Sequence, residues 1–289
     1  MKPGKCCECY VSFLKQVMVR NKHEGIKHEI RDYRKKRMRI ISATVTFIIV
    51  FSLIATLSYC IVIYYYGNSK PTNETNGPSE NKLPRAALID ALYSNYPNEE
   101  FTKSLNKTLQ DSGFKVDIYQ GAQVTVDFLK NLKSGYKLVI LRMHSALSTN
   151  NELYFFTAEP YSVGKYTQEQ YFQLVKEAYA REDSPPVFAV NWGFIKSCMT
   201  EKFNGTLVIA MGCEGACDPY AIKEILDQGA TGYVSWTGPV SLFHSDKTTL
   251  FLVRTLYLEK LLIAEAVEKT NDQIGEDPDF YSILECYLS

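Results

Sequence analysis

Two side chains in this sequence belong to the types that carry nucleophilic catalysis, and each directly follows an apolar run. His144 follows YKLVILRM and Cys213 follows GTLVIAMG. A thiol with an ordinary pKa of about 8.5 is mostly protonated at neutral pH. An imidazole beside it lowers that pKa or takes the proton as the sulfur attacks. The backbone amides of Ser145 and Cys213 are candidates for stabilising an oxyanion. Gly212 and Gly215 flank the cysteine and allow backbone and substrate to come close. Each residue also has a plain structural reading: a cysteine beside a strand as a small buried hydrophobe, a histidine at a strand end as a hydrogen bonder.

Three other constellations compete for attention. Cys217 lies four residues after Cys213 and stands as either its disulfide partner or a spectator; with Cys198 and Cys286 they form an even set of four. His244 and Asp246 make a rival acid–base pair, read as a surface loop feature. Near the N-terminus, Cys6 and Cys9 followed by His23 and His28 approximate the spacing of a tetrahedral structural zinc site. The competing reading there is a reduced Cys-rich tail, lipidated or simply solvated.

Chemistry at His144 and Cys213 needs elements that bring them together. From residue 85 the sequence alternates apolar strands with amphipathic helices. AALIDALY (86–93) reads as a strand; residues 98–112, with Phe101, Leu105 and Leu109 at spacing four, as a helix closed by Gly113. FKVDIYQG reads as a second strand, VTVDFLKNLK as a helix, and 136–144 as a third strand, continuously apolar at its centre as when both sheet faces are covered. LYFFTAEPY suggests a hairpin and 166–180 a helix. A fourth strand at 205–213, the helix PYAIKEILDQG, a fifth strand TGYVSWTG and helical sequence over 245–271 follow. This alternation implies a parallel sheet with right-handed crossovers. Ligands and reactive groups gather at the carboxyl ends of such strands, where both candidates stand.

Before the domain lies a different kind of sequence. Residues 1–39 carry twelve Lys/Arg against four Asp/Glu, and the remaining 250 residues carry twenty against twenty-eight, so a net charge of zero conceals +8 followed by −8. Between these regions residues 40–66 hold no charge, and a helix of that length spans a bilayer core of roughly 30 Å. The run starts too far into the chain, and is too long, for a signal peptide. Arg34, Lys35, Lys36, Arg37 and Arg39 immediately before it direct the N-terminus to the cytoplasm, which leaves the rest of the chain extracellular or lumenal. Residues 67–84 read as a flexible stalk, 85–274 as the α/β domain and 275–289 as an acidic, aromatic tail without assigned structure. Sequons at Asn73, Asn106 and Asn204 lean towards an external domain. The balanced charge argues against a nucleic-acid partner, and no glycine-rich phosphate loop follows any strand.

The order strand–His–Ser, then strand–Gly–Cys–Glu–Gly, resembles the caspase, gingipain and clostripain clan of cysteine peptidases, and most of all CHAT-type domains. AIKEILDQGATGYVSWTGPVSLFHSDKTTLFLVRTLYLEKLLIAEAVEKTND is similar to the CHAT-type run after the cysteine: a helix, a Gly-Ala, a strand ending in Ser-Trp, a long helix and an Ala-Glu-Ala turn. The resemblance spans about 85–272. It implies a caspase-like three-layer α/β sandwich with a mostly parallel sheet, here preceded by one transmembrane helix. It implies Cys213 as nucleophile and His144 as base, with Trp236 and Met211 at the substrate pocket. Three positions depart from the pattern. Ser145 stands where the family has Gly, Gly212 where many members have Ala, and Met211 where relatives specific for basic residues carry Asp, so Arg or Lys specificity is not supported. The function expected is a membrane-anchored cysteine peptidase acting on peptide or protein substrates, with the bilayer as its other partner. Catalysis would require no cofactor, zinc being confined to the N-terminal segment, and the oligomeric state is left open. The alternative is a catalytically degenerate binding or signalling module on the same fold.

Overall fold

A computed structural model describes residues 83–289. The expected cytoplasmic segment, the transmembrane helix at 40–66, nearly all of the stalk and the zinc candidates Cys6, Cys9, His23 and His28 lie outside the described residues. Among the described residues no helix is long and apolar enough to cross a membrane, and no group of three or more His, Cys, Asp or Glu side chains is placed to hold a metal.

The first half of the domain follows local sequence rules. β1 (Arg85–Asp90) leads to α1 (Glu99–Asp111). Asn98 caps this helix by accepting from the Phe101 amide, Glu99 and Glu100 occupy its positive first turn, and Phe101, Leu105 and Leu109 form its buried face. Gly113, at φ +85°, turns the chain into β2 (Lys115–Gln120). The short α2 (Val126–Lys130) precedes β3 (Tyr136–Arg142). β1 pairs in parallel with both β2 and β3.

The chain then leaves this sheet. β4 (Ser145–Leu147) and β5 (Leu153–Pro160) pair antiparallel, so the hairpin expected within LYFFTAEPY is corrected to one strand whose partner lies before it; α3 (Thr167–Tyr171), β6 (Val175–Ala178), β7 (Val187–Asn191) and α4 (Trp192–Ser197) follow. These four strands make a separate antiparallel sheet of order β4-β5-β7-β6. The helix expected over 166–180 is therefore corrected: only five residues are helical. Gln173, at φ +58°, stops the helix, and Val175–Ala178 pairs with β7 while the Val175 side chain is wholly buried. Tertiary pairing overrides local helix propensity here.

The chain returns with β8 (Thr206–Ala210), α5 (Pro219–Asp227), β9 (Ala230–Trp236), α6 (Leu242–Tyr257), α7 (Ile263–Ile274) and β10 (Leu284–Leu288). The main sheet has the order β10-β9-β8-β3-β1-β2, parallel except for β10, which runs antiparallel to β9. Residues 275–289 thus supply the edge strand and its approach. Two cores flank the sheet. One packs Ala87, Val139 and Tyr233 against the second sheet and the α4–α5 side; the other packs Leu88, Ile140 and Trp236 against α1, α6 and α7. The fold is a mixed α/β domain around a largely parallel six-stranded sheet.

Candidate active site

β3 and β8 lie side by side, so their carboxyl ends share one edge. Their register pairs Leu141 with Ala210, and the Met211 amide donates to the Leu141 carbonyl at 2.9 Å. His144 and Cys213 each lie three residues beyond that last pair. The two strands then diverge, because the Ser145 segment joins the second sheet and the Phe156 amide donates to the His144 carbonyl at 2.9 Å. Ser145 Oγ bridges the gap by donating to the Cys213 carbonyl at 2.6 Å.

The cysteine turn fits because of its glycines. A Cβ at Gly212 would stand 2.5 Å from the Met143 carbonyl and 2.9 Å from the Ser145 nitrogen; one at Gly215 would stand 2.8 Å from the Ser235 Cβ. Both positions are crowded by strand ends, so only glycine fits unless its neighbours move. Glu214, between them, takes φ +59°. Its amide donates to the Gly238 carbonyl at 2.9 Å, and its carboxylate accepts from the Leu147 amide at 3.0 Å. The turn is thereby fixed to both the second sheet and the segment after β9.

Two amides converge on this turn. Bonded residues alternate along the β4–β5 ladder: Phe156 donates to His144, and Ser148 to Glu152 at 2.9 Å. The N–H groups of Ser145 and Leu147 therefore point away from β5. That of Leu147 reaches Glu214, and that of Ser145 is directed to the same side, beside Gly212. The Cys213 amide has no partner in another residue among the described residues.

The surroundings of thiol and imidazole favour the neutral form of each. The Val240 amide donates to Cys213 Sγ at 3.4 Å, and the thiol is 3.8 Å from the Val240 carbonyl, which accepts from it. Burial pushes the thiol pKa up, more than the Val240 amide pulls it down. Burial, followed by the positive charges of Arg181 and Arg142, pushes the His144 imidazole down. The ring sits edge-on to Tyr96 and Phe156, at centroid separations of 5.9 and 6.2 Å. Its Nε2 is shielded from solvent without a hydrogen-bond partner among the described residues. No hydrogen bond joins His144 to Cys213. The shifts disfavour a pre-formed thiolate–imidazolium ion pair.

Val240 is itself held by a strap from the C-terminal segment. The Ser241 amide and hydroxyl each donate to Asp277 Oδ2 at 2.8 Å, and the amides of Asp279 and Phe280 cap the other oxygen at 2.9 and 3.0 Å. Burial would raise the Asp277 pKa, but these donors outweigh it and hold the carboxyl below its usual range. Ser282 Oγ donates to the Pro239 carbonyl at 2.5 Å.

The expected pocket residues lie in the core. Trp236 is 1% exposed, with its indole N–H donating to Ser245 Oγ at 3.2 Å, and Met211 is buried beside it. His244 and Asp246 are corrected from loop surface to buried positions on α6. Asp246 takes a two-pronged ion pair from Arg142, whose Nε and Nη2 donate to Oδ1 and Oδ2 at 2.8 and 2.9 Å. Arg142 Nη1 also donates to Asp90 at 2.9 Å, so the guanidinium ties β1, β3 and α6 together under His144. Burial raises the Asp90 pKa, Arg142 only partly offsetting it. All four cysteines of the described domain are free; Cys217 faces the Thr237 carbonyl at 3.2 Å.

Sequence reasoning missed Val240, Asp277 and Arg142. Asp277 had a signal, since Asp before Pro278 is a turn former. Arg142, a cation closing an apolar strand, demanded a buried partner. Val240 acts through its backbone and has no side-chain signature. No family model matches the chain, and no curated protein matches it in sequence.

Proposed function

We propose that the chain is a membrane-anchored cysteine peptidase of the caspase-like type, with Cys213 as nucleophile and His144 as general base and then acid. The observation that carries this reading is the equal offset of the two residues beyond the last β3–β8 pair, at one carboxyl edge of a parallel sheet. The strand order and the long insertion after His144 suit the same family resemblance.

In the reaction His144 takes the thiol proton as Sγ attacks the substrate carbonyl. The Ser145 and Cys213 amides receive the resulting oxyanion. The imidazolium then protonates the leaving amine, and water, activated by the same imidazole, hydrolyses the thioester and frees Cys213. The thiol must first give up its bond to the Val240 carbonyl, which stabilises the protonated form. No cofactor enters these steps. The uncharged run at 40–66 and the basic residues before it support a single span with the domain extracellular or lumenal.

One observation favours a second reading, a binding module with a degenerate site: thiol and imidazole are not hydrogen-bonded, and Val240 occupies the sulfur. Peptide cleavage by the full chain in detergent separates the two. The peptidase cuts peptides and Cys213→Ala does not; cleavage that survives Cys213→Ala contradicts the assignment.

A further inference from the structure

The His144 ring lines a cavity of about 270 Å³ between the loop after β1 and the second sheet. Its walls are built from the ends of otherwise unrelated segments: Ala91 and Leu92 after β1, Phe156 and Ala158 on β5, Ala180 and Ser184 in the connection before β7. Of the fourteen residues around it, His144 alone carries an ionisable side chain. The volume lies just below the range of about 300–1,000 Å³ of pockets that enclose a free small molecule. It suits one residue of an extended chain.

We infer that this cavity is a specificity pocket of the proposed site, and that it takes an uncharged aliphatic or aromatic side chain of a peptide beside the bond to be cut. The inference rests on the peptidase reading for the words beside the bond to be cut; the preference itself does not. The lining itself holds no opposite charge to pair with a charge moved in from water, so desolvation disfavours Arg, Lys, Asp and Glu. Arg181, whose charge acts on His144, stands outside the lining with its guanidinium 5.6 Å from the Tyr96 ring centre. The same positive charge that acts on His144 adds to the cost of a basic side chain. An apolar side chain needs no partner there. The polar groups present are uncharged: Ser94, Asn95, Thr157 and Ser184.

The test uses the full chain in detergent carrying Cys213→Ala, which binds without cutting, titrated with fluorescent peptides that differ at one position. Peptides with Leu or Phe there are expected to bind at least about tenfold more tightly than those with Arg, Lys, Asp or Glu. Ala180→Trp, at an exposed rim position, fills the cavity and should remove that preference without lowering the unfolding temperature. Tighter binding of an acidic or basic peptide, no binding of any peptide, or a preference untouched by Ala180→Trp overturns the pocket. The wild-type chain run in parallel keeps the two ideas apart. A retained neutral preference with no cleavage by the wild type would remove the peptidase and leave the pocket standing.

Discussion

At the scale of single residues, the site is defined by two groups whose pKa values are pushed apart in the direction that keeps both uncharged. Burial raises Cys213, and burial together with Arg181 and Arg142 lowers His144. A thiolate–imidazolium pair would need the opposite shifts, so in the proposed reaction proton transfer accompanies the attack. The consequence is measurable without substrate. Alkylation of Cys213 by iodoacetamide, followed by peptide mass mapping, should keep rising with pH through about pH 9, because only the thiolate reacts. The opposite limb belongs to His144: its depressed pKa keeps the base neutral into mildly acidic solution, so cleavage should persist below about pH 6.5. A labelling rate that levels off below neutrality would reveal a resident thiolate and overturn this description. The groups that set these shifts were not legible beforehand. Cys213 and His144 could be read because their types are rare and each closes an apolar run, whereas Val240 and Asp277 matter through contacts 27 to 36 residues away in sequence.

At the scale of elements, the geometry depends on three segments meeting at Arg142. β3 delivers the guanidinium, α6 delivers Asp246 and the end of β1 delivers Asp90, all essentially removed from solvent. Removing the cation leaves two buried carboxylates facing each other, a change that costs on the order of 3–5 kcal/mol. Arg142→Met should therefore lower stability by about that amount in denaturant unfolding, and adding Asp246→Leu should recover part of it. A loss below about 1 kcal/mol would mean the cluster contributes nothing of this kind. Several elements around this cluster were readable because each has a strong local signature. α1 has a capping Asn98, an apolar face at spacing four and a closing Gly113; β3 and β8 have unbroken apolar centres. The second sheet was not. β7 is a five-residue run behind two prolines, and β6 has a sequence that favours helix until pairing decides otherwise. His244 and Asp246 were misjudged for a related reason: polar residues after a strand look like loop unless their buried partner is known.

At the scale of the whole molecule, charge and topology divide the work. The described domain reaches to the last residues of the chain, since β10 closes one edge of the main sheet and the strap before it orders the segment holding the Cys213 sulfur. The acidic tail is in this way part of the site's architecture, which its sequence alone did not disclose. The remaining 82 residues carry the proposed anchor, argued from the +8 segment, the uncharged run and the −8 remainder. In sealed microsomes bearing the full chain, added protease should remove residues 1–39 and spare the domain; digestion of the domain with the N-terminus protected would reverse the orientation.

Joint action of Cys213 and His144 on a peptide bond is tested by cleavage of a mixed peptide library by the full chain. The wild type should cut, Cys213→Ala should abolish cutting, and His144→Ala should slow it by about 10²–10⁴-fold with folding intact. Unaltered cleavage in either variant, or a wild type that binds peptides and never cuts them, would contradict the account.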